Sequence, residues 1–344
     1  MNKQKVILIF STISIMTIVL IILGIVFNKT ELEKLNGLTE VYDISADGTI
    51  AYVTYNKGKP ELYLKTEDKE RLAVQLEQEE IIQDIAFSST ENTFIYSVTD
   101  RDLDSSSKSY INLLEIHSLE TKTLFETKGI ITEITFDPKD EQQLFFLKAG
   151  TFENYSPIAR ENPHKFDIYS YHIEKDTETR HTNWEQYSIQ SLNVSYSDNV
   201  VYIQMMDDRA AESADDIFDA TQKIYKVPLD DPEQLNVVSD ENRNIDIFDF
   251  AILPEENGMI FQSISNWAEG RTFQYELYFY DWEKNEEIRL TGLEQYAGRP
   301  KITAYDDKVY FIVNKKFAQK YPDRYLYVMD IDGDNIKNVP LVHR

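Results

Sequence analysis

Hydrophobic and polar positions divide the chain into two regimes. After the short polar start Met1–Lys5, the stretch Val6–Phe27 runs 22 residues without a charged side chain. From Val41 onward that pattern never returns. Short apolar runs rich in Tyr, Ile and Val alternate with polar turns, which is the signature of strands joined in hairpins. The chain therefore reads as one apolar helix followed by an all-β domain.

The apolar runs repeat. Six segments share the outline of Leu326-Tyr327-Val328, beginning at Leu62, Leu113, Ile168, Ile224, Leu277 and Leu326. Most lead into a polar turn and a second short run, as Leu277–Tyr280 leads through Asp281–Glu287 into Ile288–Thr291. A second hairpin precedes each: Tyr42–Tyr52, Asp84–Tyr96, Glu133–Phe146, Ser191–Tyr202, Phe248–Phe261 and Lys301–Phe311. Turn residues such as Asp47-Gly48 and Asn257-Gly258 sit inside these copies. One unit is thus four strands with a period of roughly 45–60 residues, the scale of a propeller blade. The run Leu326–Met329 does not alternate, so both faces of its sheet are expected to be covered. Blades packed radially cover both faces and leave only short edges. The expected fold is all-β: a six-bladed β-propeller of four-stranded antiparallel blades, preceded by one N-terminal transmembrane helix. A sandwich of unrelated hairpins is the competing arrangement.

Two stretches carry a resemblance. Tyr327–Asn335, reading Tyr-Val-Met-Asp-Ile-Asp-Gly-Asp-Asn, resembles the blade hairpin of the TolB-like six-bladed propellers with their PD40/WD40-like repeats, and Asp43–Tyr52 resembles that family's preceding strand pair with its Ser/Asp/Gly turn. The similarity extends over about residues 41–342. It implies the fold and not the partner, because propellers host binding modules and enzymes alike.

The apolar stretch is long enough to span a bilayer core, which takes about 20 residues. It ends in Ile25-Val26-Phe27-Asn28 without a small-residue cleavage site, so it reads as a signal anchor rather than a cleaved signal peptide. Lys3 and Lys5 precede it, while Lys29 and Lys34 follow it beside Glu31 and Glu33. The short basic tail and long folded domain favour the N-terminus inside. The expected organisation is a cytoplasmic tail (1–5), an anchor (6–27), a tether (28–40) with a turn of helix near Glu31–Leu35, and an extracytoplasmic propeller (41–344) of a bacterial membrane-anchored protein. The chain contains no cysteine, which excludes disulfides, thiolate metal sites and a lipidated cysteine.

The formal net charge is −25, and −27 once Lys3 and Lys5 are taken away. That acidity argues against nucleic-acid binding and against docking on anionic lipid. It serves solubility, or attracts a basic protein segment or divalent cations.

The connection between second and third strands varies most from unit to unit: Asn56–Pro60, Thr99–Ser109, Ala149–Lys165, Asp207–Gln222, Ser265–Gln274 and Asn314–Asp323. In an up-and-down blade all six open on one face, and insertions gathered on one face of a repeat protein usually mark its binding face. The candidate binding residues are Phe152 and Tyr155 in unit three and Asp207, Asp208, Asp215 and Asp216 in unit four, where Arg209–Ala220 could form a short helix. Trp267 and Phe273 in unit five and Tyr321 in unit six complete them. Loop aromatics are favoured interface anchors.

No Gly-x-Ser-x-Gly elbow, phosphate loop or dinucleotide fingerprint occurs. Asp330–Asn335 has its Gly in the wrong place for an EF-hand; a metal site at His164, His172 and His181 would need two or three of them to converge with a carboxylate such as Asp167 or Glu174, and isolated surface histidines are the default reading. No cofactor, metal or catalytic residue is assigned. The expected function is a membrane-tethered, non-catalytic scaffold that binds another envelope or membrane protein, or an envelope ligand, with residues 6–27 in the membrane. The alternative is a metal-dependent lactone or ester hydrolase with a site in the central channel, which needs Asp43, Asp84, Glu133 and Asn193 to point inward together; the first three sit at similar positions in their units.

Overall fold

The fold is known from a computed structural model, which describes residues 3–27, 29–67, 69–89, 93–104, 106–150, 163–209, 211–270, 272–303 and 307–342. Among the described residues a helix, α1 (Lys3–Phe27), precedes 24 strands. Blade 1 is β1 (Gly37–Ile44), β2 (Ile50–Asn56), β3 (Lys59–Lys65) and β4 (Glu70–Gln75). Blade 2 is β5 (Glu80–Phe87), β6 (Thr93–Asp100), β7 (Lys108–Glu115) and β8 (Thr121–Lys128). Blade 3 is β9 (Ile130–Asp137), β10 (Asp140–Gly150), β11 (His164–His172) and β12 (Thr177–Arg180). Blade 4 is β13 (Ile189–Val194), β14 (Val200–Met206), β15 (Gln222–Pro228) and β16 (Asn236–Val237), with a short helix, α2 (Ala214–Asp219), between β14 and β15. Blade 5 is β17 (Ile247–Ile252), β18 (Gly258–Ile264), β19 (Tyr275–Asp281) and β20 (Glu286–Arg289). Blade 6 is β21 (Tyr296–Ile302), β22 (Lys308–Asn314), β23 (Arg324–Asp330) and β24 (Lys337–Asn338). Within each blade consecutive strands pair antiparallel, and a single parallel bridge, Tyr275 to Tyr296, links blades 5 and 6.

Burial follows the radial order of the strands. Every residue of β18 is buried, and β2 and β14 are buried over nearly their whole length. The fourth strands β12 and β20 are exposed at every residue. Middle strands are covered by a blade on each side and so read as continuous apolar runs. The outer strands β12 and β20 are four residues each and charged, which blunts those sheet edges. The core is correspondingly divided into six clusters, one at each junction between successive blades. Val53 and Leu64 of blade 1 meet Phe94 and Val98 of blade 2 in one, and Ile203 and Tyr225 of blade 4 meet Leu147 and Ile168 of blade 3 in another. Burial of this kind contributes about 25 cal/mol per Å², distributed so that no single core carries a domain of this length.

The sixth cluster joins blade 6 to blade 1 through Ile312, Leu326 and Leu341 against Tyr42, Tyr52 and Tyr63. The ring therefore closes by side-chain packing. Strand β24 pairs with β23 of its own blade, and β1 pairs with β2, so no strand is exchanged across the seam. Strand β1 begins at Gly37, inside the stretch assigned above to the tether.

Turn chemistry agrees with the sequence. At the first turn Gly48 takes φ +82 and the Thr49 N–H donates to Asp47 Oδ1 at 2.9 Å. The Asp330–Asn335 stretch is a hairpin turn: Gly333 adopts φ +91, and Asp330 is held by Lys308 and Asn335.

The tether is ordered against the propeller. A capping box links Thr30 and Glu33, the Glu33 N–H donating to Thr30 Oγ1 at 3.1 Å and the Thr30 N–H to Glu33 Oε2 at 2.8 Å. It starts a 3-10 turn at Leu32–Lys34. Lys57 N–H donates to Asn36 Oδ1 and Gly58 N–H to Leu35 O, both at 2.9 Å. Gly58 sits at φ +82, where a Cβ would stand 2.6 Å from Leu32 O, so this close approach requires glycine. The other contact is to blade 6, where Glu31 pairs with Lys320 at 2.7 Å. Side chains of α1 are described mainly between Phe10 and Leu23, where the large apolar ones are exposed. Among the described residues no helix is long and apolar enough to cross a membrane.

Candidate functional site

The six inner strands β1, β5, β9, β13, β17 and β21 surround a central channel with a cavity of about 930 Å³. Each breaks register with its neighbour near the same level, as β-bulges do where a side chain is re-aimed. Polar residues on or just after the breaks line the channel: Asp43, Asp84, Glu133, Asn193, Asp249 and Lys301.

These side chains clasp one blade to the next. Asp43 Oδ2 of blade 1 accepts the Phe87 N–H of blade 2 at 2.8 Å, and Asp84 Oδ2 accepts the Ile134 N–H of blade 3 at 2.9 Å. Glu133 spends both oxygens on blade 4, accepting Ser191 N–H at 2.8 Å and Leu192 N–H at 2.6 Å. Asn193 Oδ1 accepts the Ile252 N–H of blade 5 at 3.2 Å, and Ser191 Oγ donates to Asp249. Gln262 Nε2 reaches Ala297 O of blade 6 at 2.7 Å. Across the seam, the Tyr42 hydroxyl lies 2.9 Å from Tyr310 O and 2.5 Å from Arg299 O.

Two cations from blade 6 face the acids. Arg299 Nε lies 3.4 Å from Asp249 Oδ2 and 3.7 Å from Glu40 Oε2, and Lys301 Nζ lies 3.8 Å from Asp43 Oδ1. Burial pushes the Asp84 carboxyl up to about 7; Lys301 opposes the shift and Glu133 adds to it. Burial also raises Asp43 and Glu133, opposed by Lys301 and Arg299 respectively. Burial lowers Lys301, but Asp43 and Asp84 more than compensate, so its ammonium is held charged. The side chains of Arg299 and Lys301 remain 41% and 43% accessible, so water reaches the channel and screens these pairs.

The acids named from sequence as channel ligands therefore do converge, but they do not fit a divalent ion. Asp43, Asp84 and Glu133 give lone pairs to neighbouring backbone, and the remaining charge faces Arg299 and Lys301. Among the described residues no three His, Cys, Asp or Glu side chains are placed to hold an ion. His181 Nε2 instead lies 2.8 Å from Ser170 Oγ, and His164 stacks on Tyr187.

Sequence reasoning missed Asp249, Arg299 and Lys301. The signal was available, since the sixth copy opens on Lys301 where the second and third open on Asp84 and Glu133.

It also missed a set of locks beneath the long-loop face. In blade 3, Asp167 accepts Thr182 Oγ1 and Trp184 N–H at 2.7 Å each, and Arg180 Nη2 at 2.5 Å. In blade 5, Glu276 accepts Glu294 N–H at 2.7 Å, Arg289 Nη2 at 3.1 Å and Thr291 Oγ1. Blade 4 does the same work with opposite charge: Lys223 Nζ donates to Asp240 O at 3.1 Å and to Arg243 O. Each lock ties the start of the third strand to the link into the next blade.

The candidate loop residues fall into separate patches. Phe152 and Tyr155 lie outside the described residues. On blade 4, α2 is shorter than Arg209–Ala220 because Ser213 caps it: Asp216 N–H donates to Ser213 Oγ at 3.2 Å and Ser213 N–H to Asp216 Oδ2 at 2.8 Å. Asp207 accepts the Tyr225 hydroxyl at 2.6 Å. Asp207 and Asp216 are thus partly structural, whereas Asp215 is exposed and Asp208 half-buried. On blades 5 and 6, Trp267 stacks on Phe273 with centroids 5.5 Å apart, and Phe317 packs on Tyr275 and Tyr296. The Tyr321 hydroxyl donates to Glu31 Oε2 at 3.3 Å.

No family model matches the chain. No curated protein matches it either. Solved structures do resemble it. TolB from Acinetobacter baumannii is 14% identical with a TM-score of 0.61, over 86% of this chain and 64% of that one. A protein described as TolB from Agrobacterium tumefaciens is 15% identical with a TM-score of 0.55, over 78% and 83%. An oligogalacturonate lyase in complex with manganese is 11% identical with a TM-score of 0.54, over 85% and 77%. The chain thus spans less than two thirds of the Acinetobacter protein. The likeness is one of fold: a TolB-like propeller, an architecture found in both binding proteins and enzymes.

Proposed function

We propose that the chain is a non-catalytic scaffold held on the outer side of a cell membrane, docking another envelope or membrane protein through its long-loop face. In this reading residues 1–5 lie in the cytoplasm, 6–27 span the bilayer, 28–40 tether and 41–344 form the extracytoplasmic domain. The span rests on the sequence, in which Val6–Phe27 carries no charge over 22 residues, about the number that crosses a bilayer core. One observation carries the proposal: the tether is bonded to the β2–β3 and β22–β23 connections, so the face bearing the insertions is the one turned towards the anchor. A partner on that face is within reach of the membrane.

The test is photocrosslinking of the full chain in its native membrane. A photoreactive residue at Asp215 on the long-loop face should yield a discrete adduct, and one at Glu283, in the β19–β20 turn on the opposite face, should not. Equal labelling from both positions, or none from Asp215, rejects the docking face.

One observation favours a catalytic reading, namely the Asp84 carboxyl, pushed up to about 7 by burial beside the central cavity, since perturbed acids in clefts mark functional sites. The metal-dependent form of that reading makes a clean prediction. An ion bound only to the folded state raises stability in proportion to RT ln(1 + [ion]/Kd). We expect calcium, manganese and EDTA each to leave the melting temperature within about 1 °C, because an unmatched site gains little from mass action. A rise of several degrees would restore the hydrolase.

A further inference from the structure

We propose that the blade 5 and blade 6 connections of the long-loop face rest on the bilayer surface, with Trp267, Phe273 and Tyr321 in the headgroup region and Lys315, Lys316 and Lys320 over anionic lipid. This deepens the anchored reading and rests on it.

Proximity comes first. The uncharged stretch ends at Phe27, and Glu31, four residues on, is pinned by Lys320 at 2.7 Å and by the Tyr321 hydroxyl at 3.3 Å. Four residues reach at most about 14 Å. With α1 in the bilayer, the β22–β23 connection cannot leave the interface. The neighbouring β18–β19 connection is coupled to it by the packing of Phe317 on Tyr275, with centroids 5.1 Å apart.

Chemistry comes second. Trp267 is 52% exposed, Tyr321 40% and Phe273 39%. Amphipathic aromatics favour the membrane–water interface, where ring and polar edge are both satisfied. Lys315, Lys316 and Lys320 are exposed on the same connection, Lys315 over the Tyr325 ring, Lys316 4.0 Å from Asp323 and Lys320 shared with Glu31, and Lys29 lies on the tether. Each lysine near an anionic surface contributes about 1 kcal/mol, decaying over a Debye length of about 8 Å.

That short range answers the objection from net charge. The acidity of the whole domain argues against anionic lipid, but charges more than a Debye length from the surface are screened. The acidic connection of blade 4, with Asp208 and Asp215, lies along another part of the rim. The ring is therefore expected to tilt, with blades 5 and 6 down and blade 4 raised. The raised edge leaves the acidic patch open to a partner.

Because the chain has no cysteine, single nitroxide labels test this directly. The variants Phe273→Cys, Tyr321→Cys, Asp215→Cys and Glu283→Cys are reconstituted as full chains in vesicles containing phosphatidylglycerol, and collisions with oxygen and with an aqueous nickel chelate are compared. Labels at 273 and 321 should show an oxygen-to-nickel ratio at least about threefold above those at 215 and 283, as interfacial depth requires. Ratios at 273 and 321 equal to that at 283 overturn the proposal while leaving the anchor intact. Shielding of both from both quenchers means that protein covers the patch, and overturns it equally. Alkaline carbonate extraction reads the anchor separately: release of the chain from the vesicles removes the anchored reading and this one with it.

Discussion

Replacing Glu276 with alanine should lower stability by about 2–4 kcal/mol, because a buried charged acceptor is removed from donors that remain buried. The Glu276 side chain is fully buried. It receives the Glu294 N–H, Arg289 and the Thr291 hydroxyl, and Thr291 Oγ1 in turn receives the Leu277 N–H at 2.9 Å. Alanine leaves the Glu294 N–H without an acceptor and frees Thr291 to rotate, so the first bond of β19 to the following link is weakened too. Arg289 is 41% accessible and can return to water, which holds the estimate below the full cost of a broken buried pair. For a domain of this size the loss corresponds to roughly 3–6 °C in melting temperature. Asp167→Ala in blade 3 should behave alike, since its Thr182 and Arg180 partners repeat the geometry. Asn112 in blade 2 stands two residues beyond the lock position, and its Oδ1 accepts the Thr123 hydroxyl at 2.8 Å near the surface; Asn112→Ala should cost under about 1 kcal/mol. Equal effects at 276 and 112 would mean that the lock is decoration.

The locks show how much was legible in the chain and what was passed over. Asp167-Ile168-Tyr169 is followed by Arg180 at 13 residues and Thr182 at 15, and Glu276-Leu277-Tyr278 by Arg289 and Thr291 at the same intervals. The Leu-Tyr repeat was readable because strands buried on both faces leave continuous apolar runs, and six copies in one order leave few architectures. The acidic residue one step before the dipeptide was equally readable as a spacing. The clasps were not. Asp43, Asp84 and Glu133 can be located by repeat position, but their partners are backbone N–H groups of the next blade, which leave no mark in the sequence. The two cations come from Arg299 and Lys301, more than 160 residues beyond Glu133, and only ring closure brings them opposite. The loop candidates met a similar limit. Loop length told which face is elaborated, but not that Asp215 and Trp267 stand on different parts of the rim.

Acidification from pH 8 to pH 5 should stabilise the protein, and Asp84→Asn should remove part of that gain. The folded-state pKa of Asp84 is raised, from an ordinary 3.8 to about 7. Between those values the folded chain binds a proton that the unfolded chain has lost, so stability falls as pH rises through the interval. A shift of this size corresponds to about 4 kcal/mol at most. Solvent access to the channel screens much of it, and a loss of about 1–2 kcal/mol between pH 5 and pH 8 is expected. Asparagine keeps an oxygen for the Ile134 N–H and carries no charge at any pH. The variant should match the wild type only below the unfolded-state value of 3.8, exceed it slightly at pH 5, and exceed it by at least about 1–2 kcal/mol at pH 8, corresponding to roughly 2–3 °C. A residual slope of the same sign should persist, because burial also raises Asp43 and Glu133 and because the domain's net negative charge relaxes on protonation. Comparing the two proteins cancels those shared contributions. If Asp84→Asn is instead destabilising at pH 8 by as much as at pH 5, the carboxylate is held ionised by Lys301 at neutral pH. The channel would then be a fixed ion pair rather than a titrating one.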